Sequence, residues 1–358
     1  MSQNDDEKFL RRCFELARRG EGSVSPNPLV GSLITKDEKI ISEGWHEKFG
    51  GPHAEANAIK HTPENLEGAV IYCSLEPCSH TDKKTPPCVP LIIESGIKKV
   101  VISNIDPNPK VAGNGIEQLS NAGVEVVVGI CEEEGNELNR FYFKSITKKL
   151  PYVTVKIAQT LDRKISEAEN KRTQITGSES AEFVHKQRSI YDAVLVGKGT
   201  VNTDNPLLNV RNVNGRNPVR IIVDGSLNVN ASAICLNDES RTNTWIFCSD
   251  KVDNEKVDAV AEKGVKVFPL ATNANGRIDL RLLLSRLNDL SVQSVFVEGG
   301  REIFSQFISE SLFDELIILQ APIILGKGIE AFDVNYQSNL KFFSAEKIGD
   351  DLKLVYRK

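Results

Sequence analysis

At 358 residues, 40% hydrophobic and 26% charged, the chain has globular proportions and enough length for two cores. A net charge of −5 and a pI near 5.7 argue against a nucleic-acid-binding surface, and no apolar run has the length that spans a bilayer. Seven cysteines, with a polar, acidic start from Met1 to Lys8 in place of a secretory signal, point to a reducing, cytoplasmic setting where thiols serve metals or cores.

From Asp5 to Arg19, Phe9, Leu10, Cys13, Phe14, Leu16 and Ala17 recur at helical spacing, and Gly20 closes the predicted helix. Ser25-Pro26-Asn27-Pro28 leads into a strand over Val30 to Thr35. Lys36-Asp37-Glu38 then turns the chain into a partner strand, Lys39 to Trp45. Asn27 lies between two prolines that hold the backbone extended, which leaves its amide able to bind a flat polar ligand. A simple turn asparagine is the plain alternative.

The next stretch carries the chemistry. Gly51-Pro52-His53-Ala54-Glu55 opens a helix over Ala54 to Lys60, and Val70 to Leu75 is a strand that delivers Glu76-Pro77-Cys78. Thr85-Pro86-Pro87-Cys88 then starts a second helix that runs through Val89 to Ser95 and stops at Gly96. An imidazole and two thiolates fill three positions of a tetrahedral Zn2+ and leave the fourth for water. H-x-E followed by P-C and a further Cys is the zinc deaminase signature, with the Glu as proton shuttle and not a ligand. His53, Cys78 and Cys88 are therefore the candidate ligands, Glu55 the candidate acid/base, and His80 is left out. Taken singly, each Cys is as readily a small core residue. Nine residues separate the two thiolates where the signature has two.

Lys99 to Ser103 reads as a buried strand, Asp106-Pro107-Asn108-Pro109 and Gly113-Asn114-Gly115 as a loop, Ile116 to Ala122 as a helix, and Val124 to Val128 as a strand. Alternation of this kind argues an α/β layered domain. A polar helix, Glu132 to Lys148, ends it, and Leu150-Pro151 marks the junction between domains spanning 1–148 and 149–358. Seven further strands follow, over Tyr152 to Ala158, Ala193 to Gly197, Val219 to Asp224, Thr244 to Cys248, Val265 to Phe268, Ser294 to Val297 and Glu315 to Gln320. Helices fall over Ser178 to Ser189, Asp279 to Leu290 and Glu302 to Ser309. No GxGxxG opens this half. Instead, Val295-Phe296-Val297-Glu298-Gly299-Gly300-Arg301 is a strand, two glycines and a helix start, where N–H groups can take phosphate. Gly197 to Thr200 with Asp204 and Arg211, and Lys156 with Asp162, mark two more polar strand ends. Convergence of the three would make a pocket for a phosphorylated ligand.

Together these motifs resemble the bifunctional riboflavin-biosynthesis deaminase/reductases, the RibD family, over nearly the whole chain. The resemblance rests on Pro26-Asn27-Pro28, Pro52-His53-Ala54-Glu55, Leu75-Glu76-Pro77-Cys78-Ser79-His80, Thr85-Pro86-Pro87-Cys88 and Asp106-Pro107-Asn108-Pro109. It implies an N-terminal cytidine-deaminase-like three-layer α/β domain and a C-terminal dihydrofolate-reductase-like α/β domain. It further implies zinc and NADPH as cofactors and a phosphorylated pyrimidine as substrate, first deaminated and then reduced at its ribosyl group. Carried over residue by residue, Glu55 and Lys156 are the catalytic groups. Ala158, Gln174, Thr200, Asp204 and the run Gly300, Arg301, Glu302, Ile303 and Phe304 contact the cofactor. Asn27, Arg188, Leu208, Arg211 and Glu298 contact substrate. The chain departs from the family pattern at Arg163, usually Gly, at Gln174, usually Trp, and at Arg172, usually Ser. A cytoplasmic homo-oligomer with no nucleic-acid or membrane partner is expected. Two competing readings stand beside it: a deaminase of nucleic acid with a targeting module, and a zinc deaminase whose second half only binds or oligomerises.

Overall fold

The structure is a computed structural model and describes residues 3–62, 65–80, 85–333 and 339–358. The chain folds as two compact units, Met1–Lys149 and Leu150–Lys358.

In the first unit the elements run α1 (Gln3–Arg18), β1 (Gly31–Lys36), β2 (Lys39–Trp45), α2 (Ala54–Lys60), β3 (Val70–Leu75), α3 (Cys88–Glu94), β4 (Lys99–Asn104), α4 (Asn114–Asn121), β5 (Glu125–Val128), α5 (Glu132–Leu138) and α6 (Arg140–Lys148). The sheet order is β2-β1-β3-β4-β5, antiparallel about β1 and parallel from β3 onward. Asp37 and Glu38 both take positive φ, 48° and 63°, in the tight β1–β2 hairpin, which suits the twist of the strands it joins. Strand periodicity of two sorts the core. Leu33, Tyr72 and Val101 face Phe9, Leu10, Cys13 and Leu16 of α1. On the other face Ile34, Ile71, Cys73, Val100 and Ile102 meet Ala58 of α2, Val89 and Ile92 of α3 and Leu119 of α4. The result is a three-layer sandwich whose α2–α3 layer holds the H-x-E and P-P-C segments.

The single helix expected over Glu132 to Lys148 is broken at Asn139 (φ −104°, ψ 22°). Its side chain pairs like a strand with Leu29, accepting from Leu29 N at 2.8 Å and donating to Leu29 O at 2.9 Å. A side-chain amide can offer the backbone this alternative to a helical ladder.

In the second unit come β6 (Tyr152–Thr160), β7 (Lys164–Ser166), α7 (Ser178–Ile190), β8 (Ala193–Gly197), α8 (Lys198–Asp204), β9 (Val219–Val223), α9 (Ile234–Asn237), β10 (Thr244–Ser249), α10 (Asn254–Ala261), β11 (Lys266–Leu270), α11 (Leu280–Asp289), β12 (Ser294–Gly299), α12 (Arg301–Ser309), β13 (Glu315–Ala321), β14 (Ile329–Glu330), β15 (Lys341–Ile348) and β16 (Asp351–Arg357). The main sheet is ordered β11-β10-β9-β8-β12-β6-β13-β16-β15; its first seven strands are parallel and the last two form an antiparallel hairpin on β13. Apolar cores lie on both faces, as a parallel sheet requires: α11 and α12 pack on one, with Leu284 and Phe307 against Val155 and Val297. The segment from Lys198 to Asp204, whose Thr200 and Asp204 were read only as polar groups at a strand end, is the helix α8.

Candidate functional site

His53 sits at the N-cap of α2 in extended conformation and makes no side-chain capping bond, so its imidazole points elsewhere. Cys78 follows the end of β3, and Cys88 is the first residue of α3, where Pro87 starts the helix. Backbone bonds lock the two cysteine segments together, from Cys88 N to Cys78 O at 3.0 Å and Val89 N to the same oxygen at 3.2 Å. His53 Nδ1 lies 3.4 Å from Cys78 Sγ and 3.5 Å from Cys88 Sγ, and the three donor atoms lie within 4.8 Å of one another. Ordinary zinc bond lengths place a tetrahedral nitrogen and sulfur about 3.6 Å apart. The donor set and its spacing therefore fit zinc. His80 is not part of this cluster, and positions 81–84 of the loop between the thiolates lie outside the described residues.

The surroundings hold this triangle in place. His53 Nε2 faces Thr85 Oγ1 at 3.2 Å, a partner that fixes the ring's orientation and tautomer when Nδ1 binds a metal. Glu55, in the first turn of α2, is buried. Beside the site, His46 Nδ1 meets Pro52 O at 2.9 Å and His46 Nε2 meets Asn27 Nδ2 at 3.1 Å. A carbonyl only accepts and an amide nitrogen only donates, so His46 is neutral with its proton on Nδ1. Burial, which lowers its pKa, favours the same state. Asn27 therefore has its amide nitrogen committed to His46, and the expectation of a wholly available amide is corrected to an available carbonyl side. Glu76, buried in front of Pro77-Cys78, accepts from Asp106 N at 3.3 Å, Gly113 N at 3.0 Å and Gly115 N at 3.1 Å. A Cβ at Gly115 would lie 2.3 Å from Pro77 O, so the loop reaches this close only as glycine.

In the second unit Lys156, Glu298 and Arg188 form one buried network. Arg188 Nε and Nη2 grip the Glu298 carboxylate at 2.6 and 2.8 Å, and Lys156 Nζ lies 3.6 Å from Glu298 Oε2. Burial alone would raise the Glu298 carboxyl, but Arg188 and then Lys156 outweigh it and hold it at about 2. Burial lowers the Lys156 pKa, with Glu298 opposing that shift and Arg188 adding to it. Arg188 Nη1 also donates to Asn209 O, so most of its fork is already engaged. Leu208 is buried with φ 52°, and Arg211 is exposed with its backbone N–H on His185 Nδ1.

A groove of about 1370 Å³ opens at the carboxyl ends of β8, β9, β10 and β12, the crevice where open parallel sheets bind ligands. Thr200, Asp204, Gly300, Arg301, Glu302 and Ile303 line it. Two of the three polar strand ends expected to converge do so: a Cβ at Gly299 or Gly300 would meet Thr200 Oγ1 at 2.9 Å. Lys156 and Asp162 are not among the lining residues. Lys156 is inside β6 and not at its end, and Asp162 accepts from Thr160 Oγ1, Leu325 N and Gly326 N. Ala158, Gln174 and Phe304 also do not line this groove. Gln174 is exposed and donates to Thr176 O, while Phe304 is buried in the core with its N–H on Gly300 O. Arg163 stands at φ 63°, a conformation that suits the glycine usual in the family pattern. Thr85, His46 and Glu76 escaped the sequence reading as parts of the site. Of these, Glu76 inside Glu-Pro-Cys and Thr85 inside Thr-Pro-Pro-Cys stood within motifs, and His46 did not.

Comparison with known proteins agrees with this geometry. Residues 151–354 match the family described as RibD C-terminal domain, and residues 3–104 match the cytidine and deoxycytidylate deaminase zinc-binding region. The chain is 40% identical over 364 residues to the riboflavin biosynthesis protein RibD of Aquifex aeolicus, covering 100% of both chains. A solved structure of Acinetobacter baumannii RibD superposes with a TM-score of 0.91 at 33% identity over 99% of each chain. A Thermotoga maritima protein described as a diaminohydroxyphosphoribosylaminopyrimidine deaminase/5-amino-6-(5-phosphoribosylamino)uracil reductase does so at 0.88 and 38%, again over 99% of each.

Proposed function

The chain belongs to the RibD family of bifunctional riboflavin-biosynthesis enzymes, and from that premise we propose how its own residues carry the two reactions. The first unit deaminates 2,5-diamino-6-ribosylamino-4(3H)-pyrimidinone 5′-phosphate with zinc, and the second reduces the ribosyl group of the product with NADPH. The observation that carries the reading is the triangle of His53 Nδ1, Cys78 Sγ and Cys88 Sγ, with Glu55 two residues along the same helix start.

His53, Cys78 and Cys88 hold the zinc, which when bound supplies a Lewis acid that acidifies water. The Glu55 carboxylate takes up the two protons of the attacking water in turn, passing one to the ring nitrogen and the other to the departing amine, which leaves as ammonia. Asn27, oriented by neutral His46, presents its carbonyl to the flat pyrimidine. In the second unit the Gly299-Gly300 turn and the start of α12 would hold the diphosphate of NADPH, which when bound would supply the hydride. Lys156, held by Glu298, positions the sugar's polar groups. Because the Arg188 fork is largely taken by Glu298, Arg211 is the arginine that meets the substrate phosphate. The same reading makes the protein a cytoplasmic homo-oligomer. Among the described residues no helix is long and apolar enough to cross a membrane. Phe342 and Phe343 stand exposed on the edge strand β15, and sedimentation will show whether a second copy covers them.

Two results test the assignments. Metal analysis should give one zinc per chain, strongly depleted in Cys88→Ser and retained in Cys73→Ser, since Cys73 is a fully buried core thiol of β3. The opposite pattern would show that the thiolates were wrongly chosen. For the cofactor, Gly300→Val pushes a branched side chain toward Thr200 at the mouth of the turn. The NADPH KM should then rise by roughly tenfold or more, as expected when a backbone–phosphate approach is blocked. An unchanged KM would move the diphosphate elsewhere.

A further inference from the structure

Away from the glycine turn, the cofactor groove ends at the carboxyl ends of β9 and β10, and there its charges are sorted. Two ammonium groups from different elements converge on one residue. Lys198 Nζ, at the start of α8, lies 3.0 Å from Ser226 Oγ, and Lys256 Nζ, from α10, lies 2.8 Å from Ser226 O and also contacts Asn228 Oδ1. Lys251 and Arg277 line the same end.

An acid at a strand end beside a dinucleotide groove is the group that takes the ribose 2′-hydroxyl in NADH-preferring sites. Asp224 stands at such a place, and its sign would oppose a phosphate. Its side chain is 0% exposed, however, and its oxygens accept from Ser226 N and Ser226 Oγ, both at 3.3 Å, and Val229 N at 2.6 Å, with Lys198 Nζ at 3.9 Å. It is turned inward and already satisfied. Asp253, the next acid, caps α10 by accepting from Glu255 N at 3.0 Å. The groove is left with a cationic face here, with the Lys198 side chain 42% exposed. From Gly300 at the end of β12 the sheet passes β8 to reach β9. Ser226 is thus two strands over, ~10 Å at the usual strand spacing, about the reach of one ribose carrying a phosphate at each end.

Resting on the reading of this groove as the NADPH site, we propose that Lys198 and Lys256, gathered around Ser226, are the seat of the cofactor's 2′-phosphate and set the preference for NADPH over NADH. Calorimetric binding of NADPH, NADH, 2′,5′-ADP and 5′-AMP to the full chain tests it without any turnover. Lys198→Ala and Lys256→Ala should each weaken NADPH and 2′,5′-ADP by roughly tenfold, the scale of one lost charge-assisted hydrogen bond, and move NADH and 5′-AMP by less than about twofold. Lys256→Arg should keep most of the discrimination. Lys263→Ala, whose Nζ reaches Ala231 O outside the groove, should bind as the wild type does. Equal weakening of NADPH and NADH in the Lys198 and Lys256 variants would reduce the lysines to braces of the loop and overturn the proposal. A wild-type protein that binds neither dinucleotide would instead overturn the groove's assignment as the cofactor site.

Discussion

Glu55→Gln is expected to keep its zinc and lose deamination by about 10²- to 10⁴-fold, the range contributed by a positioned general acid/base. The substitution keeps the size and burial of the side chain in the first turn of α2 and removes only its capacity to take up a proton. His53, Cys78 and Cys88 are untouched, so metal content separates the two roles open to a carboxylate here. Loss of zinc along with activity would make Glu55 a ligand, and near-normal ammonia release would leave the proton shuttle without a residue. The same variant, given the already deaminated ribosylamino-pyrimidinedione, should still oxidise NADPH, because its lesion lies wholly in the first unit.

The converse experiment uses the buried network of the second unit. Lys156→Ala should release ammonia normally and lose reduction by about 10²-fold or more, the scale of removing one preorganised charged donor. It should still fold, because Glu298 keeps its two-bond grip on Arg188. Glu298→Gln should behave differently, since it leaves Lys156 and Arg188 facing each other with no anion between them. Removing one partner from a buried ion pair typically costs about 3–5 kcal/mol, so the second unit should melt early while deamination persists. The pH dependence has a definite sign. With its carboxyl held at about 2 against an ordinary 4.5, Glu298 adds stability that is fully present above about 4.5 and is lost as pH falls toward 2. Acid unfolding of the second unit should therefore shift to higher pH in Glu298→Gln. If Lys156→Ala melts as early as Glu298→Gln, the lysine is a structural counter-ion and its role at the sugar must be given up.

The elements that sequence reading found, and those it missed, divide by burial. All seven predicted strands of the second half are the seven parallel ones, and those covered on both faces read as continuous apolar runs such as Ala193-Val194-Leu195-Val196. The β15–β16 hairpin went unseen: β15 is exposed along most of its length, so Lys341 to Ile348 carries neither a continuous apolar run nor clean alternation. The zinc triangle was legible because each ligand sits in a short local motif. Lys156 and Glu298 stood in two separate strand motifs, and Arg188 was named only through family likeness. Their meeting depends on β12 lying beside β6, which no local pattern records. The orientation of Asn27 was beyond the sequence for a similar reason, since it is set by His46, nineteen residues away.

β6 begins the second unit in sequence yet lies sixth across its sheet. Its two neighbours arrive late, with Tyr152 pairing to Ser294 and Thr154 to Glu315. In the first unit the widest strand pairing, Ser32 with Cys73, spans 41 residues. Loop closure must be completed before a distant pairing can reward it, so sheets of high contact order assemble slowly. A chain leaving the ribosome can thus close the sheet that carries His53, Cys78 and Cys88 while the strand bearing Lys156 is still waiting for its partners. The chain becomes competent in the order in which its substrate is processed, the amine-removing half ahead of the hydride-accepting half.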